Sequence, residues 1–457
     1  MLKTVDRKEI KKVRDMLELT QKGTVKATVD NYMLVLRYDP YIRESLSYNM
    51  LTGRIDIVKT LWWNDEICKL DDDARTYYYY FFERYYSLCS ENCMDKALRI
   101  EAKSQAYHPI CKYLEELEWD GQERIRYVLQ RYMGADASDF VYEVMKHFLM
   151  EALSRIYRPG CKADEMLCLV GQQGAGKSTF FRFLALKDDW FSDDLRNLGD
   201  NKVYEYLRGH WIIEMPEMIA TISAKNNEEI KSFLTRQKDS YRDPYAVYGE
   251  DRKRQCAFAG STNTRQFIPF DRTGSRRFLP IAIDSSKAEK HILDDEEEAR
   301  AYFDQLWAEA MVLYWTTENK NSLLKFSKEM EKEIEEYRKQ FTQEDTMAGT
   351  IQGWLDAYKG THACSVQIWK EAFDHFDREP KKFETNEICS IMDTQITGWK
   401  RAGIHRFEKQ GYGRQRSWIR EGTEDESVNE PDKDGFTKLT KAEQLELPFD
   451  LPDREKG

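Results

Sequence analysis

Apolar positions along the chain fall into two kinds of run. Over the first 160 residues they recur at helical spacing, through aromatic stretches such as TYYYYFFERYY (76–86) and through VYEVMKHFLMEALSRIY (141–157). This predicts a mainly helical N-terminal region over 1–105 and a helical collar over 106–160. At helical spacing the tyrosines and phenylalanines read as core or interface, with base stacking as the alternative. Pro159-Gly160 then punctuates the chain. Up to about residue 345, short apolar runs alternate with helical patterns: EMLCLVG, STFFRFLAL, HWIIEM, NEEIKSFLTRQ and RQCAFAGSTN. That rhythm predicts a mostly parallel sheet flanked by helices over 161–345, closing with a charged, solvated helix within 320–343. Residues 346–421 predict a smaller domain of two helices and two short strands around a GYG turn, a winged-helix-like pattern. From 422 to 457 the acidic, polar, proline-containing sequence predicts a disordered tail.

Composition changes this picture little, and charge distribution changes it more. With 41% hydrophobic residues the 457-residue chain can build real cores. No run approaches the ~18–20 apolar residues that span a bilayer. The charged start MLKTVDRKEIKKVRD lacks an apolar signal core, so secretion is not expected and a cytoplasm is the expected location. The nine cysteines lack framework spacing, and the lone Cys89/Cys93 pair has no second ligand pair; reduced thiols are expected. The net charge of −11 argues against nucleic acid only in bulk. Acid is concentrated in DDEEEARA (294–301), EMEKEIEE (329–336) and the tail. Between 252 and 277, Arg252, Lys253, Arg254, Arg265, Arg272, Arg276 and Arg277 face only Asp271.

The chemistry starts at GQQGAGKS (171–178), which fits G-x-x-x-x-G-K-[ST] between an apolar strand, Met166–Val170, and a helical pattern from Thr179. Glycines there let backbone N–H groups converge on phosphate oxygens at a helix N-terminus. The fold class expected is therefore an α/β P-loop NTPase, with ATP and Mg²⁺ as cofactors. Gly171, Gln172, Gln173, Gly174, Ala175, Gly176, Lys177, Ser178 and Thr179 would form the nucleotide cradle. Lys177 would reach the β- and γ-phosphates and the Ser178 hydroxyl would hold Mg²⁺. A P-loop also needs an acid near the metal and a carboxylate to orient water. HWIIEMPEM (210–218) delivers two: Glu214 at the strand's end, taken as the metal-side acid, and Glu217 past Pro216, taken as the base. Asn263, ending CAFAGSTN, suits a sensor of the γ-phosphate or lytic water. Arg276 and Arg277 in GSRRF suit arginine fingers reaching a neighbouring subunit's nucleotide, with DNA-backbone contact or a surface salt bridge as alternatives.

The order GQQGAGKS, HWIIEMPEM, SYRDPY, CAFAGSTN, GSRRF, preceded by EWDGQERI and YRPG, resembles the virulence-associated E family of phage and mobile-element proteins. The resemblance covers roughly residues 100–290. It implies an AAA+/superfamily 3-like ATPase core, a ring, expected to be a homo-hexamer, and translocation on single-stranded and forked DNA during element replication. It also implies a pore hairpin between the acidic strand and the sensor, its turn at Tyr248-Gly249-Glu250-Asp251 and its DNA-gripping returning arm at Arg252, Lys253 and Arg254. The separation of Glu214 from Glu217 by Met215 and Pro216 departs from many AAA+ proteins, which place the two acids side by side. The C-terminal module's Lys400, Arg401, Arg406, Lys409, Arg414 and Arg416 suit DNA, though such modules also bind protein. In the tail, Gln444, Leu445, Leu447 and Phe449 of QLELPFD resemble peptides that dock on bacterial sliding clamps. No primase module is evident, so priming would come from another chain. The rival readings are a replication initiator, loader or switch that hydrolyses ATP without unwinding, and a small-molecule kinase.

Overall fold

The computed structural model describes residues 6–423, apart from 65, 196–197, 199–202, 217–223, 242–248, 270–274 and 409–410. The chain divides into two compact units, Met1–Gln343 and Glu344–Gly457. The first begins with α1 (Arg7–Arg14), α2 (Val29–Tyr38), α3 (Asp72–Tyr86) and α4 (Glu91–Ser104). Thr28, Asp71 and Ser90 start the last three, each accepting an otherwise unpaired backbone N–H. The aromatic stretch lies on α3, where Tyr78, Phe81, Phe82 and Tyr86 are buried in the local core.

This region is not only helical. An antiparallel sheet of β1 (Leu46–Asn49), β2 (Arg54–Ile57) and β3 (Cys68–Lys69) sits between α2 and α3 in the chain. Its strands of four, four and two residues are too short to show alternation beside the helical pattern around them.

Three helices follow, α5 (Pro109–Glu115), α6 (Val128–Met133) and α7 (Asp139–Tyr157). Helix α7 is buried over most of its length, packed between the main sheet and the helix Glu296–Thr316. The sheet contains β4 (Met166–Val170), β5 (Phe191–Ser192), β6 (Ile212–Glu214), β9 (Ala257–Thr262) and β10 (Phe278–Ala282). All five are parallel, in the order β10-β4-β9-β6-β5. Both faces are covered, which is why the strands read as continuous apolar runs. Alternation divides each strand between two cores. Leu167, Leu169, Ile212 and Ala259 join the α7 side. Cys168, Val170, Ile213 and Phe258 join the side of Phe233 and Leu234, from the helix Ala224–Leu234.

Trp211 locks this assembly. Its indole stacks against Trp307 at 4.3 Å and donates to the Ala152 carbonyl, while Trp307 donates to the Leu184 carbonyl. The charged helix near the end of the unit spans Lys328–Lys339; it is solvated except along one face, where Ile334 enters the core.

Before β9, a two-stranded ribbon joins β7 (Lys238–Tyr241) to β8 (Glu250–Lys253). In the second unit the helices Thr346–Ala357, Ser365–Glu371 and Lys382–Thr394 enclose a core with Trp399 and Trp418. Its antiparallel sheet runs β11 (His362–Cys364), β13 (Gly413–Arg420), β12 (Trp399–Phe407). No described helix is long and apolar enough to cross a membrane.

Candidate nucleotide site

Parallel order brings three strand ends together. The turn Gly171–Gly176 leaves β4 and enters α8 (Lys177–Leu184), so its backbone N–H groups gather at a helix N-terminus. The Gly171 N–H donates to the Thr262 carbonyl of β9, and a Cβ on Gly171 would lie 2.7 Å from the Ile283 carbonyl oxygen; only glycine permits that approach. Gly174 adopts φ +80°, left-handed, and a Cβ there would meet nothing within 4 Å, so the turn is open at that position.

Lys177 is buried, and burial lowers its pKa. Its ammonium donates to the carbonyls of Gly171 (2.8 Å) and Gln172 (2.7 Å) and to Asn263 Oδ1 (2.9 Å). The next residue, Ser178, donates its hydroxyl to Glu214 Oε1 at 2.9 Å. Glu214 is fully buried at the end of β6, and its Oε1 accepts a second hydroxyl, from Ser261 of β9. Its other oxygen has no partner among the described residues, and burial pushes its pKa up. A buried carboxylate with one bare oxygen is costly unless a cation or water completes it. An open glycine turn, a buried lysine, a hydroxyl and this carboxylate therefore fit a phosphate group with its cation.

The structure thus gathers Lys177, Ser178, Glu214 and Asn263 into one group of neighbouring side chains at the turn 171–176, hydrogen-bonded in two separate sets, Lys177 with Asn263 and Ser178 with Glu214. Ser261 belongs to the same group and was not singled out from the sequence; its signal was the serine two residues before Asn263 at the end of an apolar run. Thr179 lies in the first turn of α8. Glu217 lies outside the described residues, as do Lys409, the 242–248 part of the expected pore hairpin and the tail residues Gln444, Leu445, Leu447 and Phe449.

Arg276 and Arg277 are not in this group. Phe278 pairs with Met166, and the Met166 N–H donates to the Arg277 carbonyl, so both arginines sit at the opposite end of the sheet from their own turn. There they pair with Asp164, at 3.2 and 3.5 Å.

The expected hairpin needs two corrections. Glu250 and Asp251 already belong to β8, paired with Tyr241 and Ser240, so they are not its turn. Arg254 does not face a DNA path. It is 3% exposed, holds Asp239 with two hydrogen bonds of 2.7 and 2.9 Å, and donates to the Phe233 carbonyl. Its charge is consumed inside the fold. Lys253 is exposed, while Arg252 and Lys253 line a cavity of about 330 Å³ with Tyr48, Tyr204 and Arg208.

Residues 114–343 match the model of the virulence-associated protein E-like domain, half of the chain. The chain belongs to the virulence-associated protein E-like family. The match in this family member ends where its first compact unit ends, at Gln343. Solved apo structures of the NrS-1 C-terminal region are similar at 12% identity, over 82% of this chain and 95–96% of those chains, with TM-scores of 0.46 and 0.45. No curated protein matches the sequence.

Proposed function

We propose that this family member is an ATP-hydrolysing motor of phage or mobile-element replication, an AAA+/superfamily 3-like ring that moves along and unwinds DNA. The observation that carries the reading is the meeting of two hydrogen-bonded pairs, Lys177 with Asn263 and Ser178 with Glu214, at the glycine turn. Bound Mg²⁺–ATP would supply the transferable phosphoryl group and the cation that offsets its charge. Lys177 then exchanges backbone carbonyls for phosphate oxygens. Ser178 and Glu214 hold the cation side, with Ser261 fixing the carboxylate. Asn263, released by Lys177, orients water or the terminal phosphate. Glu217 acts as base.

The remaining roles follow from position. Arg276 and Arg277, remote from their own turn, serve a neighbouring copy's nucleotide in a homo-hexamer. Lys253, with Arg252 beside it, grips single-stranded DNA. In the second unit, read as winged-helix-like, Arg406, Arg414 and Arg416 are exposed on the β12–β13 hairpin and contact DNA at the fork. QLELPFD recruits a host sliding clamp, and a separate primase supplies primers.

Strand displacement on forked DNA, measured beside ATP hydrolysis with and without single-stranded DNA, tests the reading. A motor gives DNA-stimulated turnover together with unwinding. DNA-dependent turnover without displaced strand would instead establish a loader or switch, and no Mg²⁺-dependent turnover would remove the ATPase altogether.

A further inference from the structure

We propose that His147, Glu151 and Glu165 form a site for a divalent transition-metal ion that fastens helix α7 to the foot of strand β4. His147 and Glu151 are one helical turn apart, so both project from the same face of α7. Glu165 immediately precedes β4. His147 and Glu151 are 3% and 2% exposed, and His147 Nε2 and Glu151 Oε1 have no hydrogen-bond partner among the described residues.

The imidazole stands at ligand spacing from both carboxylates, which themselves lie close together. His147 Nε2 lies 3.7 Å from Glu151 Oε1 and 3.7 Å from Glu165 Oε2, too far for a hydrogen bond. One ligand atom from each residue lies within 4.8 Å of the others. A point no more than about 2.4 Å from all three follows, against the ~2.0–2.2 Å of zinc–nitrogen and zinc–carboxylate bonds.

An imidazole with two carboxylates suits Zn²⁺, Mn²⁺ or Fe²⁺, whereas Mg²⁺ and Ca²⁺ favour oxygen alone. Entry is available. The Phe326 ring stacks on His147 at 4.0 Å and, with Glu165, Glu331 and Glu335, lines a cavity of about 530 Å³. Arg276 and Arg338 line the same cavity, and neither forms an ion pair with Glu151 or Glu165 among the described residues. The five residues of β4, at ~3.3 Å each, keep this cluster roughly 16 Å from the glycine turn. It is therefore distinct from the Mg²⁺ side of the nucleotide site and structural in role.

The test uses the full chain without nucleotide, stripped with chelator and then titrated with Zn²⁺ or Co²⁺. We expect one equivalent retained after dialysis, the visible bands of low-coordinate Co²⁺, and a Tm increase of roughly 4 °C at a hundredfold excess over Kd. His147→Gln and Glu151→Gln should lose all three signals. Glu165→Gln, on a partly exposed position, should weaken binding at least tenfold in a chain that folds normally. Lys177→Ala should retain them, since its site is elsewhere. A wild-type chain that holds no metal and shows no bands or Tm shift overturns the proposal, leaving a buried ion triad. Metal retained by Glu151→Gln but lost by Lys177→Ala overturns it too, by assigning the ion to the nucleotide site.

Discussion

Replacing Glu214 with glutamine should separate stability from turnover, because the carboxylate is costly to the resting fold and useful to the reaction. In the resting protein Glu214 is fully buried, with one oxygen accepting from Ser178 and Ser261 and the other bare. Neutralising it weakens two charge-assisted hydrogen bonds by about 1 kcal/mol each and leaves an amide N–H₂ in place of the bare oxygen, a further ~1–3 kcal/mol. Against this, the desolvation of a buried charge, several kcal/mol, disappears. The sum is within about 1 kcal/mol of zero and on the stabilising side, a Tm change of about 1–2 °C for a unit of this size. Function moves the other way: loss of one preorganised charged group at such a site costs about 10²–10³ in kcat. Nucleotide-free melts, melts with Mg²⁺–ATP and phosphate release on the same preparation read both quantities. Glu214→Gln should melt at or slightly above wild type, lose the stabilisation by Mg²⁺–ATP and turn over at least a hundredfold more slowly. A variant that melts several degrees lower, or keeps turnover within threefold, would refute the reasoning by making Glu214 a purely structural acceptor for the two serines.

Arg254→Ala should destabilise the first unit by about 3–5 kcal/mol, because it leaves Asp239 buried without its partner, whereas exposed Lys253→Ala should leave urea melts unchanged and reduce DNA stimulation of ATP hydrolysis. If both variants melt like wild type, the Arg254–Asp239 pair is not the anchor described. Arg276→Ala, at a half-exposed side chain, should change stability by less than about 1 kcal/mol yet abolish turnover, and mixing it with inactive Lys177→Ala chains should restore part of the activity; no recovery on mixing contradicts a contribution across subunits. In the second unit the Arg378 guanidinium holds the Glu384 carboxyl down at about 2, below the ordinary 4.5. Its folded pKa is depressed, so its stabilisation is complete above pH 4.5 and lost as pH falls through about 2. The stability gap between wild type and Glu384→Gln should therefore shrink across that window; a gap equal at pH 7 and pH 2 would discount the pair.

What the sequence made legible was whatever repeats or carries its own geometry. Strands β4, β6 and β9 announced themselves because burial on both faces removes polar interruptions, and the glycine turn because its spacing is tied to backbone shape. Arg254 was misread because it stands in a basic run, and its partner Asp239 lies fifteen residues earlier, across a ribbon whose pairing no local pattern reports. His147 and Glu151 carry no signal of their own in the sequence, because α7 holds other polar residues and only the fold brings Glu165 beside these two. The short N-terminal strands carry too few residues to be heard above the aromatic helices.

The three hydrogens of the Lys177 ammonium are all in use, two on the turn's own carbonyls and one on Asn263. An arriving phosphate must therefore compete with an internal substitute. The turn is braced by its own lysine through two backbone carbonyls. Under the proposed function, an ammonium that swung to an incoming anion would leave the Asn263 amide, just past β9, without that partner. Occupancy of the turn would thereby be announced beyond the neighbouring strand, through a single side chain that holds only one of its two sets of acceptors at a time.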